Sequence, residues 1–141
     1  MQTEIDCNLQ SNQIGKEGIE YLSSCYFLKS LTILNLSPNN IENEGLANLA
    51  KCDFLINLNE LDLSSNQIGK EGIEHLAKFT YFQCLKILNL GSNKIRKDDI
   101  ELLSKLNCIN NLKCLDLSLN YIGKDGIEFL SDIFPSVKIE F

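Results

Sequence analysis

At 141 residues the chain suits one compact domain or one short repeat array. Its 44% hydrophobic and 23% charged residues predict a soluble chain with a continuous core and argue against disorder. A net charge of -6, with no local basic cluster, argues against nucleic acid or an anionic membrane as the main partner, since both reward a positive surface.

The opening residues Met1 to Asp6 are polar and acidic and lack a signal-peptide pattern. No apolar run approaches the roughly 18 residues of a membrane helix. A cytoplasmic location is expected. Six cysteines (Cys7, Cys25, Cys52, Cys84, Cys108 and Cys114) contain no C-x-x-C pair. Reduced thiols acting as small hydrophobes are the expectation.

The first predicted element is a strand through Cys7 and Leu9, followed by a turn at Asn12 and Ile14 and a helix beginning near Glu17. The same series then recurs along the chain. Asparagine falls at 12, 39, 66, 93 and 120, a spacing of 27 each time, and isoleucine follows two residues later in all five copies. Leu9, Leu36, Leu63, Leu90 and Leu117 precede each Asn by three, and Cys7, Leu34, Leu61, Leu88 and Leu115 by five. Eight before stand Leu31, Leu58, Leu85 and Leu112, with Glu4 in the first copy.

Each copy reads L-x-x-L-x-L-x-x-N-x-I. Its L-x-L alternation has strand period, so five parallel strands are predicted, centred on Leu9, Leu36, Leu63, Leu90 and Leu117. The Asn amides are predicted to stack as a ladder, each donating to and accepting from the backbone of neighbouring turns. Helices start near Glu17, Glu44, Glu71, Asp98 and Asp125, acids that complement a helix N-terminus. Gly18, Gly45, Gly72 and Gly126 come next, with Asp99 as the exception, and imply close approach of the helix and strand layers. Past Pro135, Val137, Ile139 and Phe141 alternate as a sixth, unfinished strand with Ile139 on the leucine register. The expected organisation is one domain over 1–141: five 27-residue repeats and a C-terminal capping strand.

The segments S-N-Q-I-G-K-E-G-I-E at 11–20 and 65–74, and L-N-Y-I-G-K-D-G-I-E at 119–128, resemble the ribonuclease-inhibitor-like class of leucine-rich repeats. The resemblance covers nearly the whole chain. It implies a short right-handed α/β horseshoe arc with parallel strands on the concave face, helices on the convex face, and ligand binding mainly through the concave face. The repeats are one or two residues shorter than is usual in that class, and far fewer.

Nothing in the sequence assembles a catalytic, cofactor or metal site. His75, the single histidine, falls in a helix segment with no cysteine obviously opposite. The G-K-E-G run is no phosphate loop, and Asp98–Asp99 lacks calcium-loop spacing. The residues turned outward between the leucines are the candidates. The first column is Asp6, Ile33, Glu60, Ile87 and Cys114; the second is Asn8, Asn35, Asp62, Asn89 and Asp116; the third is Gln10, Ser37, Ser64, Gly91 and Ser118. Leu119 and Tyr121 stand at the rim. Apolar Ile33, Ile87, Cys114, Leu119 and Tyr121 lie within an acidic band of Asp6, Glu60, Asp62 and Asp116, with Lys86 and Lys113 beside it. Such a face suits a protein partner with a basic, partly apolar patch.

The reading is a protein-binding module with no enzymatic activity, an inhibitor or adaptor that covers a partner enzyme's cleft. Its Asn-, Lys- and Ile-rich repeats are similar to those of amoebae and of intracellular bacteria that deliver proteins into host cells, so an effector, or an antagonist of one, is included. The alternative is a regulator of a small GTPase resembling Ran GTPase-activating proteins, against which Arg96 is the chain's one arginine.

Overall fold

The computed structural model describes residues 4–106 and 110–141. The chain alternates strand and helix: β1 Asp6–Asn8, α1 Gly15–Leu22, β2 Ile33–Asn35, α2 Glu42–Leu49, β3 Glu60–Asp62, α3 Lys70–Leu76, β4 Ile87–Asn89, α4 Ile100–Leu103, β5 Cys114–Asp116, α5 Gly123–Ile133 and β6 Lys138–Glu140. Short 3-10 turns occupy Tyr26–Ser30 and Lys97–Asp99. The six strands form one sheet in chain order, every neighbouring pair parallel. This is an α/β solenoid with strands lining one face and helices the other.

In the first five strands the register follows the 27-residue repeat, whereas Ile139 of β6 comes 24 residues after Leu115 and so stands opposite Leu115, not at the place equivalent to Leu112 that the period predicts. Cys7, Leu34, Leu61, Leu88, Leu115 and Ile139 stand side by side across the sheet. The strands are therefore centred on this row, two residues before the predicted Leu9, Leu36, Leu63, Leu90 and Leu117. Those leucines lie one residue past each strand and still donate to the next repeat, as Leu36 N–H does to the Asp62 carbonyl at 2.9 Å. A side chain ends each strand: Asn35 Oδ1 accepts the Ser37 N–H at 2.9 Å and Asp62 Oδ1 accepts the Ser64 N–H at 2.8 Å. Such a local acceptor turns the backbone out of the extended ladder.

The core is one continuous cluster between sheet and helices, built from Leu34, Leu61 and Leu88, the turn residues Ile41, Ile68 and Ile95, and the helix residues Leu46, Ile73 and Ile100. In the first repeat Cys7, Leu9, Ile14 and Leu22 are only half-buried, since they have repeats packed on one side.

The asparagine ladder is continuous. Asn39 Oδ1 accepts from the N–H of Asn12 (2.9 Å) and Ile14 (3.2 Å), while its Nδ2 donates to the carbonyls of Leu9 (2.8 Å) and Leu36 (2.9 Å). Asn66 repeats this on Asn39, Ile41 and Leu36, and Asn93 on Asn66, Ile68, Leu63 and Leu90. Each amide thus satisfies turn backbone that the core would otherwise leave unpaired.

The recurrent glycines have a more local reason than layer approach alone. A Cβ on Gly18 or Gly45 would sit 2.2 Å from Cγ2 of Ile14 or Ile41, the turn isoleucine tucked under the first helical turn. At the equivalent place in the fourth repeat, Asp99 has such a Cβ. There the chain winds as a 3-10 turn, Asp99 Oδ2 accepts the Arg96 N–H at 2.9 Å, and regular helix begins only at Ile100.

Candidate functional site

The outward residues of the strands form the candidate face. Strand pairing places Asp6, Ile33, Glu60, Ile87, Cys114 and Lys138 in one row, and Asn8, Asn35, Asp62, Asn89, Asp116 and Glu140 in the next. At about 4.8 Å per strand, six strands make a face about 24 Å wide. Lys138 and Glu140 extend the five predicted members of each row. They were absent from the sequence-derived columns because the last strand pairs 24 residues after β5, three short of the period that defined those columns.

Exposure along the first row is uneven. Asp6 is exposed, Ile33, Glu60 and Cys114 are half-buried, and Ile87 keeps 39% of its surface. The second row has a structural duty that the alternation pattern did not reveal. Asn8, Asn35, Asp62, Asn89 and Asp116 each accept the N–H two residues on through their side-chain oxygen, at 2.8–3.0 Å. All five of these positions are Asn or Asp, which is the signal that could have exposed the role. In the third column Ser37 and Gly91 are buried and Ser64 and Ser118 half-buried, so that column offers less surface than the other two.

Leu119 and Tyr121 lie beyond β5, on its asparagine turn, and border the sheet. Leu119 is 80% exposed and has φ of +55°, a left-handed conformation uncommon for leucine; Ser11, Ser65 and Ser92 adopt it in other repeats. Tyr121 is 69% exposed and its N–H donates to the Ile95 carbonyl at 2.8 Å, beside a backbone bridge to Arg96.

The electrostatics of Cys7, Cys52 and Cys114 oppose nucleophile chemistry. Burial, and then the Glu140 carboxylate, pushes the Cys114 thiol pKa up. Burial, and then Asp6, does the same at Cys7, and burial pushes Cys52 up to about 12. A reactive cysteine needs the reverse shift. The described cysteines Cys7, Cys25, Cys52, Cys84 and Cys114 are free thiols, and Cys108 lies outside the described residues. His75 sits half-buried in α3. Among the described residues no group of three or more His, Cys, Asp and Glu is placed to hold a metal ion, and no helix is long and apolar enough to cross a membrane.

Along the edge where the helices start, Lys16–Glu44 and Lys97–Asp125 pair between successive repeats. Exposed pairs of this kind contribute little stability. A cavity of about 610 Å³ along this edge is lined by Glu42, Glu71, Lys70, Lys94, Arg96 and Asp98, and so is polar and of mixed charge.

The repeat geometry agrees with a family match. A family model described as Leucine Rich repeat matches residues 8–23, 27–50, 55–77, 83–104 and 108–131. The chain belongs to the leucine-rich-repeat family. Members of this family are in general protein–protein interaction modules and typically non-enzymatic binding scaffolds. Among solved structures, an internalin (inlF) from Listeria monocytogenes is similar in fold, with a TM-score of 0.52 and 22% identity. The match covers 84% of this leucine-rich-repeat chain and 37% of the internalin, so this chain spans a little over a third of that protein's length. No curated protein sequence matches the chain at a significant level.

Proposed function

We propose that this leucine-rich-repeat chain binds a partner protein through its strand face, with Asp6, Asn8, Ile33, Asn35, Glu60, Asp62, Ile87, Asn89, Cys114 and Asp116 as the contact surface and Leu119 and Tyr121 at its border. The observation that carries the reading is the in-register row in which Ile87 keeps 39% of its surface between the acidic repeats, where the core does not require an apolar residue. Apolar anchors desolvate and hold, while charges around them set orientation and association rate. The partner is a protein with a basic, partly apolar patch. In the narrower form, the chain is a ribonuclease-inhibitor-like inhibitor or adaptor that covers a partner enzyme's cleft in the cytoplasm, including that of a host cell if the chain is an effector or an effector's antagonist. It carries no catalytic site, cofactor or metal of its own in this reading.

The alternative is a regulator of a small GTPase, for which Arg96, the chain's one arginine and exposed on the turn after β4, is the single arginine on hand. A GTP-turnover assay with candidate small GTPases separates the two readings.

Affinity purification with the chain as bait tests the main reading. Ile87→Ala is expected to weaken binding of the recovered partner by about 1–3 kcal/mol. Glu60→Lys is expected to slow association. It is a cleaner reversal than Asp62→Lys, which also removes the acceptor of the Ser64 N–H. Glu20→Lys, on the exposed side of α1, is expected to do little. Binding that survives Ile87→Ala and Glu60→Lys but fails in Glu20→Lys moves the functional surface to the helices.

A further inference from the structure

The strand face carries a second period, twice that of the repeat. The second and fourth strands present the same triplet, Ile33-Leu34-Asn35 and Ile87-Leu88-Asn89, and so show isoleucine and asparagine outward. Between and beside them lie Glu60-Leu61-Asp62 and Cys114-Leu115-Asp116, which show carboxylates. Pairing places Ile33 beside Glu60, Glu60 beside Ile87, and Ile87 beside Cys114. From β1 to β4 the first row therefore alternates acidic and apolar residues, Asp6, Ile33, Glu60 and Ile87, at about 4.8 Å, and like residues recur at about 9.6 Å; in β5 the carboxylate is that of Asp116 alone, beside the Cys114 thiol.

From these stripes we infer that the partner element received by this face is a cationic amphipathic α-helix lying across the strands. This rests on the reading above that the strand face is the binding surface. Three arguments support the helix. The first is width: each strand has three residues, which makes a strip about 10 Å across, the diameter of a helix with its side chains.

The second is spacing. On a helix, residues three and four apart stand about 5–6 Å from each other, and residues seven apart about 10.5 Å. A helix inclined by about 25° to the row of strands projects its seven-residue repeat onto about 9.6 Å. Apolar residues seven apart then meet Ile33 and Ile87, while residues three or four along meet Glu60. A strand laid across the face repeats at about 6.7 Å per pair of residues and falls out of step with both spacings.

The third is charge. Glu60 and Asp62 form the central stripe, Asp116 and Glu140 continue the second row, and Asp6 begins the first. Lys138 is the one cation in the two rows, and it is held by Glu140. The occupant's residues opposite Glu60 and Asp62 are therefore lysine or arginine.

The test uses three synthetic peptides of about 18 residues, long enough to cross the face. The probe is a stapled helix with leucine every seventh residue and arginine three and four residues after each leucine. The second has the same composition with leucine and arginine alternating. The third is the stapled helix with glutamate in place of arginine. Affinity is read by fluorescence anisotropy and location by hydrogen exchange, on the chain, on Ile87→Asp, Glu60→Lys and Glu20→Lys. Equal melting curves establish that the variants are folded.

The expected result is protection of β2–β4, with the arginine helix at least about tenfold tighter than either control. Ile87→Asp and Glu60→Lys are each expected to weaken it about tenfold, and Glu20→Lys by less than about twofold. An alternating peptide that protects β2–β4 as tightly overturns the helix and leaves the strand-face reading standing. Protection of the helices α1–α3 instead overturns both. Binding by none of the peptides overturns the helix, while the strand-face reading is judged by its own co-purification.

Discussion

Asn66 shows how much one side chain does here. Its Oδ1 takes the N–H groups of Asn39 and Ile41, and its Nδ2 reaches the Leu36 and Ser64 carbonyls. Alanine there leaves buried backbone groups unpaired, so Asn66→Ala is expected to cost about 1–3 kcal/mol in urea unfolding. Asn12 is exposed, and its Nδ2 reaches only carbonyls of its own repeat, those of Leu9 and Gln10. Asn12→Ala is expected to cost clearly less, and equal losses at the two sites would refute the ladder's energetic role. Cys52 gives a pH prediction. Burial raises its pKa from 9.0 to about 12, so the folded state holds the proton that the unfolded chain releases. Its contribution is fully present below pH 9 and is lost as pH rises from about 9 toward 12. Cys52→Ala is expected to reduce the alkaline fall in stability, checked by urea midpoints across that window.

At the scale of the element, Gly18, Gly45, Gly72 and Gly126 leave room for the turn isoleucine packed against the first helical turn. Gly45→Ala puts one 2.2 Å from Ile41 Cγ2. Overpacking of this kind costs about 1–3 kcal/mol, and the expected loss is that size in urea unfolding. The fourth repeat shows the alternative route: Asp99 is buried at 4% exposure and its carboxylate caps the Arg96 N–H, while the helix contracts to four residues. A circular-dichroism loss of helix in Gly45→Ala would indicate that the second repeat takes this route. No loss of either stability or helix would show that Ile41 moves aside freely.

Across the whole molecule, repeats contact mainly their neighbours, so stability depends on position along the array. Leu63 is fully buried between repeats on both sides, and Leu63→Ala is expected to cost about 2–5 kcal/mol. Leu9, at the same repeat position, is half-buried, and Leu9→Ala is expected to cost distinctly less. Native-state hydrogen exchange is expected to show slowest exchange in β2–β4 and faster exchange in β1. Uniform protection along the array would contradict nearest-neighbour packing.

The amino-acid sequence determined the repeat, the parallel order, the inward leucines and the asparagine ladder. These follow from residues that recur every 27 positions, and a buried role repeated five times needs no knowledge of the neighbour beyond its being another copy. The outward alternation of the strand face was legible for the same reason. What tertiary structure decided lies where one copy differs from the next. The strands stop two residues earlier than the leucine pattern implied, because Asn35, Asp62 and their equivalents bond the backbone and bend it. That same duty removes part of the second row from free surface. At one helix start Asp99 stands where the other repeats have glycine and its carboxylate takes the Arg96 N–H, and Leu119 stands exposed in a left-handed turn that serine occupies in three other repeats. Each of these depends on which atoms another segment brings close, and a residue's own period carries no record of that.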